Sequence, residues 1–125
     1  MTIPRLNEAG NVVLNASSDT ITETVYMGLP VAGAVSYFSV VAGSDLGTST
    51  KTFTLAYAPP GSATYTDIGS AEVTFASDDA KGTTQYVEIP GSATNSVTQQ
   101  GSLRITPSGT GTGAVPLHYT VIIGV

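Results

Sequence analysis

The chain has 125 residues, which suits one domain with a core of its own and leaves little room for a second. Charged side chains make up 10% of it and hydrophobic ones 41%, the reverse of the balance that keeps a chain disordered. A net charge of -5 with four Lys plus Arg builds no basic stripe for nucleic acid, and the lack of cysteine excludes disulfides and thiolate metal sites.

The opening segment, MTIPRLNEAG, shows no strand alternation, and Pro4 blocks pairing at its own position. Residues 1–10 are therefore expected to form an extended arm, with residues 11–125 as a single domain. The segment has no basic start followed by an apolar run, so no secretory signal is read there and synthesis in a cytoplasm is expected. No apolar run reaches the roughly 18 residues of a membrane-spanning helix.

NVVLN predicts a short strand. TITETVYMG alternates Ile21, Val25 and Met27 against Thr22, Thr24 and Tyr26, with Glu23 intruding on the apolar side. AVSYFSVVA is apolar on both faces, which predicts a central strand covered on both sides. In KTFTLAY, Lys51, Phe53, Leu55 and Tyr57 share one face, and Thr52, Thr54 and Ala56 the other. AEVTFAS sends Val73 and Phe75 inward, YVEIP Val87 and Ile89, and SLRIT Leu103 and Ile105. In LHYTVIIGV the inward set is Leu117, Tyr119, Val121 and Ile123. Turn-forming stretches such as GSDLGTS, APPGSAT, SDDAKG and PSGTGTG separate these runs. About eight short strands so spaced predict an all-β chain, a jelly-roll-like antiparallel β-sandwich.

The chemistry-bearing residues are sparse. His118 is the sole histidine, and no G-x-S-x-G elbow accompanies it, so it is expected on a strand surface. Asp78 and Asp79 lack the spacing of a calcium loop and read as a polar turn. Of the nine acids no pair stands out for glycoside hydrolysis, and Glu23, Asp67, Glu72 and Glu88 are expected to face solvent or partners. The NAS at Asn15 matches a glycosylation acceptor, idle in a chain without a secretory signal. GTGTG at 109–113 has the composition of a phosphate loop with no helix after it. The tyrosines Tyr26, Tyr37, Tyr57, Tyr65, Tyr86 and Tyr119 suit a sugar platform or, as the main expectation, core and interface packing. No enzyme activity, metal or cofactor is expected.

The pattern AGxV at Ala32, Gly33 and Val35 is followed by Leu46, Thr48, Thr52, Thr54 and Leu55, then by Gly101, Ser102, Leu103 and Ile105 before a Gly/Thr/Ser loop and an apolar strand. Over residues 30 to 125 this resembles the decoration, or cement, proteins of tailed-bacteriophage heads. The resemblance implies a virion protein that binds major capsid protein subunits, works as a homo-oligomer with a trimer as first choice, and has no nucleic-acid or membrane partner. Within the arm, Ile3, Arg5 and Leu6 are the expected capsid or subunit contacts: two apolar side chains to bury and a guanidinium to pair with a carboxylate. The alternative is a tail or fibre-tip module that recognises host-surface glycans.

Overall fold

The computed structural model describes residues 10–91, 93–111 and 113–125. Ile3, Arg5 and Leu6, and all of the expected arm except Gly10, lie outside the described residues.

Nine strands are present among the described residues: β1 Asn11–Ser18, β2 Val25–Gly28, β3 Gly33–Ala42, β4 Thr50–Ala58, β5 Thr66–Phe75, β6 Thr84–Glu88, β7 Ser96–Val97, β8 Ser102–Thr110 and β9 Leu117–Gly124. A single 3-10 turn at Ala93–Asn95 leads into β7. One sheet runs β1-β9-β3-β6, with β7 beside β6 along the same edge of β3; the other runs β2-β8-β4-β5. All pairings are antiparallel. With the two-residue β7 set aside, the eight strands divide between the sheets in the order of a jelly roll, with β4 and β5 the one consecutive pair in the same sheet.

Alternation along each strand sends one set of side chains between the sheets. Phe53, Leu55, Phe75, Leu103, Ile105, Tyr119, Val121 and Ile123 are all enclosed there. The ring of Phe53 meets Phe75 at 6.0 Å and Tyr119 at 5.9 Å, both edge-on, so one aromatic joins both sheets. The Tyr119 hydroxyl stays in this core because Ser18 Oγ lies 2.8 Å away, and the Ser18 hydroxyl in turn donates to the Thr20 carbonyl. Burial raises the Tyr119 pKa above its ordinary value; the Ser18 hydrogen bond opposes that shift, and Glu23 adds to it.

Several expectations need correction. Val87 faces inward but is only half-buried, because β6 is an edge strand. β3 is central within its sheet but lacks a second cover: Tyr37 and Val41 on its outer side are half-buried, and only Ser39 is enclosed. β2 begins at Val25, so Ile21 reaches the core from the preceding turn and Glu23 points to solvent. The first strand runs the full eight residues to Ser18. PSGTGTG is not all turn, since β8 carries through Pro107 and Gly109 to Thr110. Proline is tolerated there because β2 pairs with β8 only up to Ile105, leaving the far half of β8 on an edge.

β3 carries a bulge between Val35 and Tyr37, and the buried Asn95 amide donates to the Val35 carbonyl at 2.9 Å beside it. β5 is interrupted more strongly. Thr54 of β4 faces Glu72 and Ala56 faces Asp67, so Leu55 alone stands opposite residues 68–71. Ser70 within that excursion has φ 67.

Candidate functional site

The outer face of the β2-β8-β4-β5 sheet carries a contiguous group of polar and aromatic side chains. Its register sets Tyr26 of β2 beside Arg104 of β8, Arg104 beside Ala56 of β4, and Ala56 beside Asp67 of β5. One row across four strands thus reads aromatic ring, guanidinium, methyl group, carboxylate. The next row holds Thr106, Thr54 and Glu72, with Thr54 Oγ1 donating to Glu72 Oε2 at 3.5 Å.

Tyr65 stands just before β5 and sends its hydroxyl to Ser102 Oγ on β8, 2.6 Å away. To reach β8 the ring crosses the end of β4, where Ala56 and Ala58 offer only methyl groups. The Arg104 guanidinium carbon sits 4.6 Å from the centre of the Tyr65 ring, and Tyr26 meets the same ring edge-on at 6.0 Å. A cation over an aromatic face gains about 0.5–1 kcal/mol at an exposed site. Tyr26 remains 63% exposed, so most of its surface is free for another molecule.

Arg104 has no carboxylate partner among the described residues, and its Nε is enclosed without a hydrogen bond. Thr106 Oγ1, two residues on and on the same face, is enclosed and unpaired as well. On the far side of β4 from these residues, the excursion of β5 leaves an open recess of about 320 Å³, lined by Thr54 and residues 67–72.

The other sequence candidates lie apart. His118 is exposed on the outer face of the opposite sheet, opposite Ser17 on β1 and Val41 on β3. Asp78 and Asp79 form a turn at the other end of β5; Asp79 Oδ2 accepts the Ala76 amide at 2.9 Å, and Asp78 has φ 68. Asn15 lies on a strand, where its side chain accepts from Thr120 Oγ1 at 3.0 Å. No group of three or more His, Asp or Glu is gathered for a metal among the described residues. Tyr57 packs against the core, and its hydroxyl bonds Thr98 Oγ1 at 2.6 Å. Tyr37 and Tyr86 stack at 6.0 Å on the outer face of the β1-β9-β3-β6 sheet, with Tyr37 in line with Ile122 and the exposed Val13, and Tyr86 in the next row opposite Ser39. Arg104 was not singled out by the sequence; its neighbours come from three separate segments that only the strand register brings together.

No family model matches the chain, and no curated protein sequence matches it. Distant likenesses exist among solved structures. The capsid structure of Helicobacter pylori bacteriophage KHP30 has 12% identity and a TM-score of 0.47, with 92% of this chain and 87% of that chain covered. The capsid asymmetric unit of cyanophage Pam1 gives 16% identity and a TM-score of 0.45, covering 92% and 84%. Eiger TNF from S. frugiperda gives 9% identity and a TM-score of 0.48, covering 80% of this chain and 64% of that chain. The chain therefore spans under two thirds of the Eiger chain, and the assignment of the fold rests on the strand order itself.

Proposed function

We propose that the protein is a bacteriophage virion component that decorates and stabilises the head by binding major capsid protein subunits. The observation that carries this reading is the outer face of the β1-β9-β3-β6 sheet, where Val13, Ile122 and Tyr37 line up across three strands and Tyr86 of the fourth, one row over, stacks diagonally on Tyr37. Glu88 is the one acid in that row, and Tyr86 is 62% exposed. Such a surface gains by burial against another subunit, and tyrosine is enriched in contacts of that kind. The sequence resemblance to head decoration proteins supports the same reading. A ligand that binds only the expanded shell stabilises it by mass action.

Residues 1–10 act in this reading as an attachment arm, with Ile3, Arg5 and Leu6 as contacts, and residues 11–125 as the domain that displays it. A homotrimer is the proposed assembly, because a symmetric head offers three-fold positions. The protein is made in the host cytoplasm and resides on the head. A second reading, a tail or fibre-tip module for host-surface glycans, draws on the polar face around Arg104.

The test is binding of purified protein to expanded heads lacking it, followed by cryo-EM of the particles. Density on the head surface and weaker binding by Tyr86→Asp support decoration; density confined to the tail refutes it. Deleting residues 2–9 separates the arm from the domain: normal folding with undiminished head binding removes the arm from the attachment surface.

A further inference from the structure

The outer face around Arg104 combines three kinds of polar partner within a short distance. Arg104 only donates hydrogen bonds, Asp67 and Glu72 as carboxylates only accept, and Thr54 does both. Strand spacing places the Arg104 and Asp67 backbones roughly 10 Å apart, with Ala56 between them. An anion gains from Arg104 but is repelled by the two carboxylates. A cation meets the opposite conflict. A neutral polyhydroxylated molecule satisfies all of them, because each hydroxyl donates and accepts. The exposed ring of Tyr26, at the end of the row, offers a flat apolar surface of the kind on which the C–H face of a sugar ring packs.

Two further observations concern the same face. Arg104 Nε and Thr106 Oγ1 are enclosed side-chain atoms without a partner, and both lie on this face of β8. Native structures leave few such atoms unpaired, so these two call for an explanation. The recess made by the excursion of β5 lies across β4 from them, with Thr54 on its lining opposite Thr106, and its volume of about 320 Å³ lies within the range of small-ligand sites, roughly 300–1,000 Å³.

We infer that this face is a saccharide-binding site for a neutral glycan, with Tyr26 as the stacking ring, Arg104 as donor and Asp67 and Glu72 as acceptors. This inference deepens and rests on the second, glycan-binding reading, and it is independent of the head-binding reading. A failed sugar titration leaves head binding untouched, and failed head binding leaves the sugar site untouched.

The experiment is an amide-resolved NMR titration of the full chain with maltohexaose, cellohexaose, chitohexaose and mannohexaose, beside a polyglutamate peptide as acidic control. The expected result is binding of at least one neutral sugar at a dissociation constant of about 1 mM or tighter, with shifts confined to Tyr26, Thr54, residues 67–72 and Arg104. Tyr26→Ala and Arg104→Met weaken that binding at least tenfold. Their melting temperatures establish that each variant is folded, and Asp67→Asn serves as the variant least able to disturb the sheet. No shift with any of the four sugars overturns the inference. So does a preference for the polyglutamate peptide, or binding that survives in all three variants.

Discussion

Replacing Phe53 with alanine tests whether the two sheets share one core. Phe53 is fully enclosed on β4 and contacts a ring from its own sheet, Phe75, and one from the opposite sheet, Tyr119. Truncating a buried phenylalanine costs about 3–5 kcal/mol when the surroundings cannot collapse into the space. Each lost edge-on ring contact adds about 0.5–1.5 kcal/mol to a plain transfer cost, which puts Phe53 near the upper end of that range. The whole stability of such a domain is about 5–15 kcal/mol. With a urea slope of about 2 kcal/mol per molar, the unfolding midpoint should fall by about 2 M. Far-ultraviolet circular dichroism and tyrosine fluorescence, followed together, check that a single transition is being read. Tyr86→Ala is the control, because that ring lies on the outer face and its loss should change stability by about 0.5 kcal/mol or less. An unchanged midpoint for Phe53→Ala, or an equal loss for Tyr86→Ala, would refute the shared aromatic core.

Alkaline unfolding should expose Tyr119. Its pKa is raised in the folded chain, so above the ordinary value of 10.0 the unfolded state loses that proton first and stability falls with rising pH. Tyr119→Phe should flatten that limb in pH-dependent denaturation while costing about 0.5–1.5 kcal/mol at neutral pH through the lost Ser18 bond. Gly109→Ala places a side chain at φ 110 against the Thr50 carbonyl of β4, and calorimetry should show a loss of at least about 1–3 kcal/mol. Asn95→Ala removes the amide that satisfies Val35 beside the β3 bulge, with an expected cost of about 1–3 kcal/mol in chemical denaturation.

Where alternation was unbroken, as in Phe53/Leu55, Leu103/Ile105 and Leu117 to Ile123, the inward face could be read directly from the chain. Lys51 shows that the periodicity outranks chemical type. It faces inward with its neighbours and is buried, and its amine turns back to the Gly109 carbonyl at 3.5 Å. The pattern faded where the backbone departs from period two. The first half of β5 escaped notice because residues 68–71 leave the ladder, and the end of β8 because Pro107 and Gly109 resemble a turn. The double apolar face of β3 was misread as burial on both sides, although side chains such as Tyr37 and Val41 tolerate partial exposure. The site around Arg104 was out of reach for a different reason. Tyr26, Tyr65 and Arg104 meet only through the pairing of β2 with β8 and the crossing of Tyr65 over β4, and register is a property of the assembled sheet.

The pairing of β1 with β9 bears on how the chain comes to fold at all. Asn11 meets Gly124 and Ser18 meets Leu117, so this ladder joins segments about a hundred residues apart. At a synthesis rate of about 5–20 residues per second, β1 waits about 5–20 s on the ribosome for β9, its ladder partner among the described residues. β9 is also the strand that separates β1 from β3 in the sheet, so until it arrives that sheet has no middle. During the wait Val12 and Leu14 have no sheet to join, and a chain stopped before Leu117 keeps them exposed permanently. Such a fragment should be held by chaperones or aggregate, and its yield should report on the final strand more sharply than on any other.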